Sequence, residues 1–197
     1  NESKNSKFKN KTKKQIIIKA IEFHLKGKIS EAIEYYEYCI KKGFNSPDVF
    51  ANFGLILKDL GKLNEAEISI RKAIELKPDF EEAYNNLGNV YKEIKKYEKA
   101  ITHYEKAIEL NADYYEAYNN LGVALGKNEQ YEEAEKVLNN VIQMHPKFAD
   151  AYNSLGAILT SMEKYTEAKE TLNHAISIKP DNAEAYYNLG NVYKKTE

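Results

Sequence analysis

Residues 84–91 read YNNLGNVY, and the phrase returns at 50–57 (FANFGLIL), 118–125 (YNNLGVAL), 152–159 (YNSLGAIL) and 186–193 (YYNLGNVY). Its glycines, Gly54, Gly88, Gly122, Gly156 and Gly190, stand 34 residues apart throughout. Glycine inside a helical pattern costs about 1 kcal/mol against alanine, so a register of them needs a shared steric cause. Self-similarity of this length marks stacked helical hairpins, each burying its apolar face on its neighbours. The fold class is therefore all-α, an α-solenoid of antiparallel helix pairs.

With the glycine as slot 8, units begin at Lys13, Pro47, Glu81, Tyr115, Ala149 and Ala183. The expected domains are a basic N-terminal extension, 1–12, and an array over 13–197. Its units are 13–46, 47–80, 81–114, 115–148, 149–182 and a half unit 183–197. Slot 4 is Ile16, Phe50, Tyr84, Tyr118, Tyr152 and Tyr186; slot 7 is Lys19, Phe53, Leu87, Leu121, Leu155 and Leu189; slot 11 is Phe23, Leu57, Tyr91, Leu125, Leu159 and Tyr193. Spacings of three and four place these on one helical face. The second half of each unit carries alanine at slot 20 (Ala32, Ala66, Ala100, Ala134, Ala168), a large residue at slot 24 (Tyr36, Ile70, Tyr104, Leu138, Leu172) and a small one at slot 27. Small residues at 8, 20 and 27 let two backbones approach, and the large ones fill the seam. Helices are expected near 14–26, 30–42, 47–60, 64–76, 81–94, 98–110, 115–127, 132–144, 149–162, 166–178 and 183–195. Pro78, Pro146 and Pro180 punctuate the units at slot 32, with Ala112 in the remaining such place. Asp79, Asp113 and Asp181 read as N-caps, closed into capping boxes by Glu82, Glu116 and Glu184.

The formal net charge of −1 gives no steering toward nucleic acid or anionic lipid, and no apolar run approaches a membrane span. The lysine-rich start lacks the apolar segment of a secretory signal. The single cysteine, Cys39, excludes an internal disulfide. Cytoplasmic residence is the expectation. The opening asparagine and the ending half-way through a unit predict a piece of a longer protein.

The aromatic at slot 4, Leu-Gly at 7–8, alanine at 20 and 27 and proline at 32 resemble the tetratricopeptide repeat family over residues 13–197. Two features depart from its pattern. No tryptophan occupies slot 4, and the first unit has Lys19-Ala20 where others have an apolar residue and glycine, as in a solvated end cap. The resemblance implies a right-handed superhelix whose first helices line a concave groove holding peptides or helices of other proteins. It also implies that slots 2, 5, 6, 9, 12 and 13 form the inner surface.

Those slots are rich in asparagine: Asn52, Asn85, Asn86, Asn89, Asn119, Asn120, Asn153, Asn188 and Asn191. Asparagine is a poor helix former, and together these cost roughly 5 kcal/mol against alanine. One reading is structural, with slot-6 amides tying neighbouring helices together. The other is a ladder that grips the main chain of an extended peptide, similar to the one lining O-linked N-acetylglucosamine transferase. Slot 2 is acidic (Asp48, Glu82, Glu116, Asp150, Glu184), which also suits helix N-termini. Slots 12 and 13 bring Lys58, Lys92, Lys127, Lys194 and Lys195. Such banding would orient a polar, zwitterionic segment. The family's carboxylate clamp is absent, because slot 5 holds no lysine and slot 2 is acidic after Lys14.

No chemistry stands out. His24, His103, His145 and His174 fall in four different slots, with no i, i+4 pair for a metal. Cys39 reads as a small packing residue, and no glycine-rich phosphate loop occurs. The expectation is a peptide-binding scaffold that is not an enzyme, needs no cofactor or metal, and binds neither nucleic acid nor membrane. The alternative is the substrate-recruiting arm of a glycosyltransferase or sulfotransferase whose catalytic part lies outside the chain. The lysine-rich extension reads as a solvated segment or a helix leading into the first unit. Apolar residues of helix 183–195 predict end-to-end self-association.

Overall fold

The computed structural model describes residues 7–196. Among them are eleven α-helices and no strand: α1 (Lys13–Leu25), α2 (Ile29–Lys41), α3 (Pro47–Asp59), α4 (Leu63–Leu76), α5 (Glu81–Glu93), α6 (Tyr97–Leu110), α7 (Tyr115–Lys127), α8 (Tyr131–Met144), α9 (Ala149–Ser161), α10 (Tyr165–Ile178) and α11 (Ala183–Thr196). Each expected helix is present within a residue or two. None of them is long and apolar enough to cross a membrane. The chain divides into two compact units, residues 1–90 and 91–197, with the boundary inside α5.

The turn between the two helices of each repeat is set by one backbone conformation. Slot 15 is left-handed in all five repeats: Gly27, Gly61, Lys95, Glu129 and Glu163, with φ from 59° to 74°. The following N–H then closes on the slot-11 carbonyl, as in Lys62 to Leu57 (2.8 Å) and Gln130 to Leu125 (2.9 Å), satisfying a carbonyl the helix end would orphan. Glycine takes this conformation freely at 27 and 61; the other three repeats hold a charged residue there.

Between repeats the chain runs extended. Lys77, His145 and Lys179 have φ near −130° to −141° ahead of their prolines, as the proline ring requires. Asn111 adopts the same conformation without a proline after it, and its Oδ1 accepts from the Asp113 N–H at 3.1 Å. That local side-chain turn substitutes for the missing ring.

The expected aspartate caps are a correction. The N-caps of α7 and α9 are Tyr114 and Phe148, with no side-chain capping bond. The Phe80 carbonyl likewise takes the Ala83 N–H at 3.0 Å. Asp79, Asp113 and Asp181 sit one residue earlier, in the exposed turn, because the cap position is used to bury a large side chain such as Phe80. Side-chain caps do occur elsewhere. Asn182 accepts from the Ala185 N–H (3.2 Å), and Thr12 with Gln15 forms a complete capping box on α1.

In the first unit, α1 pairs with α2 and α3 with α4. Its seam shows why slot 8 is glycine: a Cβ on Gly54 would stand 2.5 Å from Ile70 Cγ1 and 3.2 Å from the Ala66 carbonyl. The N-terminal extension is not simply solvated. Phe8 is buried, stacked on Tyr38 at 3.7 Å and edge-on to Tyr35 at 4.8 Å. Lys7 pairs with Glu34, and the Lys11 ammonium donates to the Tyr35 hydroxyl (3.2 Å). Phe8 thus joins the core of Ile16, Ala20, Tyr36, Cys39 and Val49. Among the described residues 7–12 no helix precedes α1; they form a short aromatic plug.

In the second unit α7 packs on α8, α9 on α10 and α10 on α11, while α9 touches both α7 and α11. A Cβ on Gly122 would meet Leu138 Cγ at 2.6 Å, and one on Gly156 would meet Leu172 Cγ at 2.5 Å. The equivalent position at Gly190 is open, with nothing within 4 Å. Around it Tyr186, Tyr187 and Tyr193 of α11 are exposed.

Candidate functional site

The first helices of the second unit, α7, α9 and α11, lie side by side in chain order. Their shared surface holds two adjoining hollows that meet over Ala157, Ser161 and Asn188. One is walled by Val123, Gly126 and Lys127 of α7 and by Glu184 of α11. The other runs on past Asn191 to Lys194 and Lys195. The floor is made of small side chains: Ala157 and Ser161 from α9, and Gly126 from α7.

Gly126 is the helical glycine outside the 34-residue register. It stands at slot 12, where Lys58, Lys92 and Lys194 stand elsewhere, and Thr160 takes the same slot in α9. A Cβ on Gly126 would collide with Ile158 Cδ1, so its first role is to seat Ile158 between α7 and α9. Its second consequence is a floor that no long side chain crosses. Thr160 lines the second hollow but reaches no further into it: it is buried and donates its hydroxyl to the Gly156 carbonyl of its own helix at 2.7 Å.

The asparagines divide by slot. Slot-5 residues Asn85 and Asn153 are buried. In the second unit Asn188, slot 6 of α11, donates its Nδ2 to Asn153 Oδ1 at 2.9 Å. A slot-6 amide therefore ties one repeat to the slot-5 amide of the repeat before it. One repeat earlier the same slots hold Ser154 and Asn119, and the buried Asn119 Oδ1 has no hydrogen-bond partner. Serine is too short to serve the position that Asn188 serves. Ser154→Asn should supply the missing donor and raise stability by about 1 kcal/mol. A melting temperature equal to or below the parent's would show that the two slots do not meet there.

Asn191 makes no hydrogen bond to a described side chain and lines the hollow. Asn120 and Asn89 are half-buried and engaged. In the first unit Asn52 donates to the Asp48 carbonyl of its own helix (2.9 Å), Lys58 pairs with Asp59 (2.7 Å), and Asn86 is half-buried. Lys92 is engaged as well.

Charge is banded across the second unit. At the N-terminal ends of the three helices stand Glu116, Asp150 and Glu184; at the C-terminal ends stand Lys127, Lys194 and Lys195. None of these lysines pairs with a described acid, and all three are exposed. The Glu116 carboxylate beside Tyr115 raises that phenol's pKa.

The histidines lie against tyrosines. Tyr115 and His145 are 4.2 Å apart, Tyr152 and His174 4.4 Å, Tyr91 and His103 5.1 Å. Cys39 is fully buried, and burial pushes its thiol up to about 11. Among the described residues no group of three His, Cys, Asp or Glu could hold a metal ion.

The sequence pattern described as TPR repeat matches residues 54–95, 88–129 and 157–196, and that of the tetratricopeptide repeat matches 115–148. Among solved structures the chain is similar to YrrB, described as a TPR protein with an unusual peptide-binding site. The two are 26% identical over 84% of this chain and 85% of that one, with a TM-score of 0.64. MamA is 27% identical over 84% and 96%, at 0.70. The thermophilic TPR protein TTC0263 of Thermus thermophilus is 15% identical over 93% and 100%, at 0.77, a likeness of fold alone. No curated protein sequence matches the chain.

Proposed function

We propose, for a chain that belongs to the tetratricopeptide repeat family, that it holds an extended peptide of another protein across α7, α9 and α11. It performs no reaction itself. The observation that carries this reading is the floor of Gly126, Ala157 and Ser161 beside the uncommitted amide of Asn191. A peptide backbone can come close to such a floor, and an amide with a donor and an acceptor serves any main chain whatever its side chains. The resemblance to YrrB, whose description names a peptide-binding site, agrees with it.

The asparagines then carry two different duties. Asn153 and Asn188 fix the repeats, and Asn191 faces the ligand, so only the last can be removed without loosening the scaffold. A peptide array read by fluorescence, with Asn191→Ala beside the parent, tests the assignment. Binding should weaken about fivefold across unrelated peptides, the scale of one hydrogen bond, while the melting temperature stays put. Undiminished binding to every peptide would remove the groove reading of Asn191. Cytoplasmic residence, with no nucleic acid or membrane as partner, completes the proposal.

A further inference from the structure

The two charged margins and the small-residue floor between them constrain more than the presence of a peptide. In an extended chain the N–H and C=O groups lie perpendicular to the side chains, and successive side chains point to opposite sides. If the backbone turns its polar groups down to the floor, its side chains must point alternately at the two margins. One margin is Glu116, Asp150 and Glu184; the other is Lys127, Ser161, Lys194 and Lys195. Ten or eleven helical residues separate them, which is about 15–16 Å. That width accommodates a strand with a side chain reaching out on either hand.

We infer that the second unit selects an extended segment with alternating charge, cationic side chains on one edge and anionic ones on the other. This rests on the groove reading above. Three helices at roughly 9–10 Å spacing span about 20 Å, the length of six extended residues. The basic margin is interrupted at α9, where Ser161 stands in place of a lysine. The preferred side chains there are therefore acidic at the two ends and neutral between. On the acidic margin all three helices contribute, so a cation is favoured at every place. The Glu184 and Lys194–Lys195 positions sit on the same helix, which fixes the opposed signs at one end of the groove.

The probes are two labelled heptapeptides of identical composition, Lys-Glu-Lys-Ser-Lys-Glu-Lys and Lys-Lys-Lys-Lys-Ser-Glu-Glu. Fluorescence anisotropy at low salt should show the alternating peptide binding on the order of tenfold tighter, as a few exposed ion pairs would give. The advantage should shrink as salt shortens the screening length, and it should fall to about threefold in the Lys194→Ala/Lys195→Ala variant, which leaves Lys127 at the other end. Both lysines are exposed, so circular dichroism of that variant should match the parent. Equal affinity for the two peptides would overturn the alternation and leave the groove standing. Failure of both peptides, together with an array on which Asn191→Ala changes nothing, would overturn the groove as well.

Discussion

Leu138→Ala is expected to destabilise the second unit by about 2–5 kcal/mol, the range for emptying a fully packed leucine site. Leu138 is fully buried and fills the space that Gly122 leaves by having no Cβ. The partner change is more informative. Gly122→Ala in the parent should gain up to about 1 kcal/mol of helix propensity. It should lose more, about 1–3 kcal/mol, because its Cβ would lie 2.6 Å from Leu138 Cγ, an atom with no room to retreat. In the Leu138→Ala background that obstacle is gone, and the same substitution should stabilise. Gly190→Ala provides the control within one slot: nothing lies within 4 Å, so it should stabilise the parent directly. Urea melts of the four cycle members and of Gly190→Ala measure all of this. If Gly122→Ala has one sign in both backgrounds, the glycine register is not explained by the seam.

That seam was legible in the sequence because its cause recurs. Glycine at slot 8, alanine at 20 and a large residue at 24 repeat together, and periodicity averages away local exceptions. The helix bounds followed for the same reason. What was missed is local. The left-handed slot 15 is advertised by Gly27 and Gly61, yet Lys95, Glu129 and Glu163 conceal it, because the repeat geometry imposes a conformation their side chains do not request. The aspartate caps looked right by spacing, but a buried Phe80 outweighs a capping bond, and burial of a ring cannot be read from the turn alone. Asparagine composition marked one face of the first helices without separating Asn153, which bonds Asn188 across repeats, from Asn191, which does not. That distinction depends on which neighbour each amide reaches. Gly126 carried a usable signal, as a helical glycine out of register, and its neighbours Ala157 and Ser161 carried none, since small polar residues in helices are unremarkable.

The N-terminal plug was illegible for a different reason: Phe8 is a lone apolar residue among lysines, with no period to support it. Its removal should be the second large effect. Phe8→Ala takes away a ring that is buried against Tyr35 and Tyr38, and such truncations cost about 3–5 kcal/mol in a core. Without the ring, the Lys7–Glu34 pair and the Lys11–Tyr35 bond remain as weak ties. Cys39 reports the outcome. It belongs to the same core, is fully buried, and its thiol is pushed up to about 11, so near pH 8 it is both protonated and shielded. Labelling by a thiol reagent then proceeds only through opening of the first repeat. A loss near 3 kcal/mol raises the open fraction on the order of a hundredfold, and the labelling rate should rise with it. Lys7→Ala, which removes a half-exposed pair and the ammonium's contacts with the Phe8 and Tyr35 rings, should change the rate by less than about tenfold. If Phe8→Ala labels no faster than Lys7→Ala, the plug rests on the repeat without stabilising it, and α1 and α2 close their own end unaided.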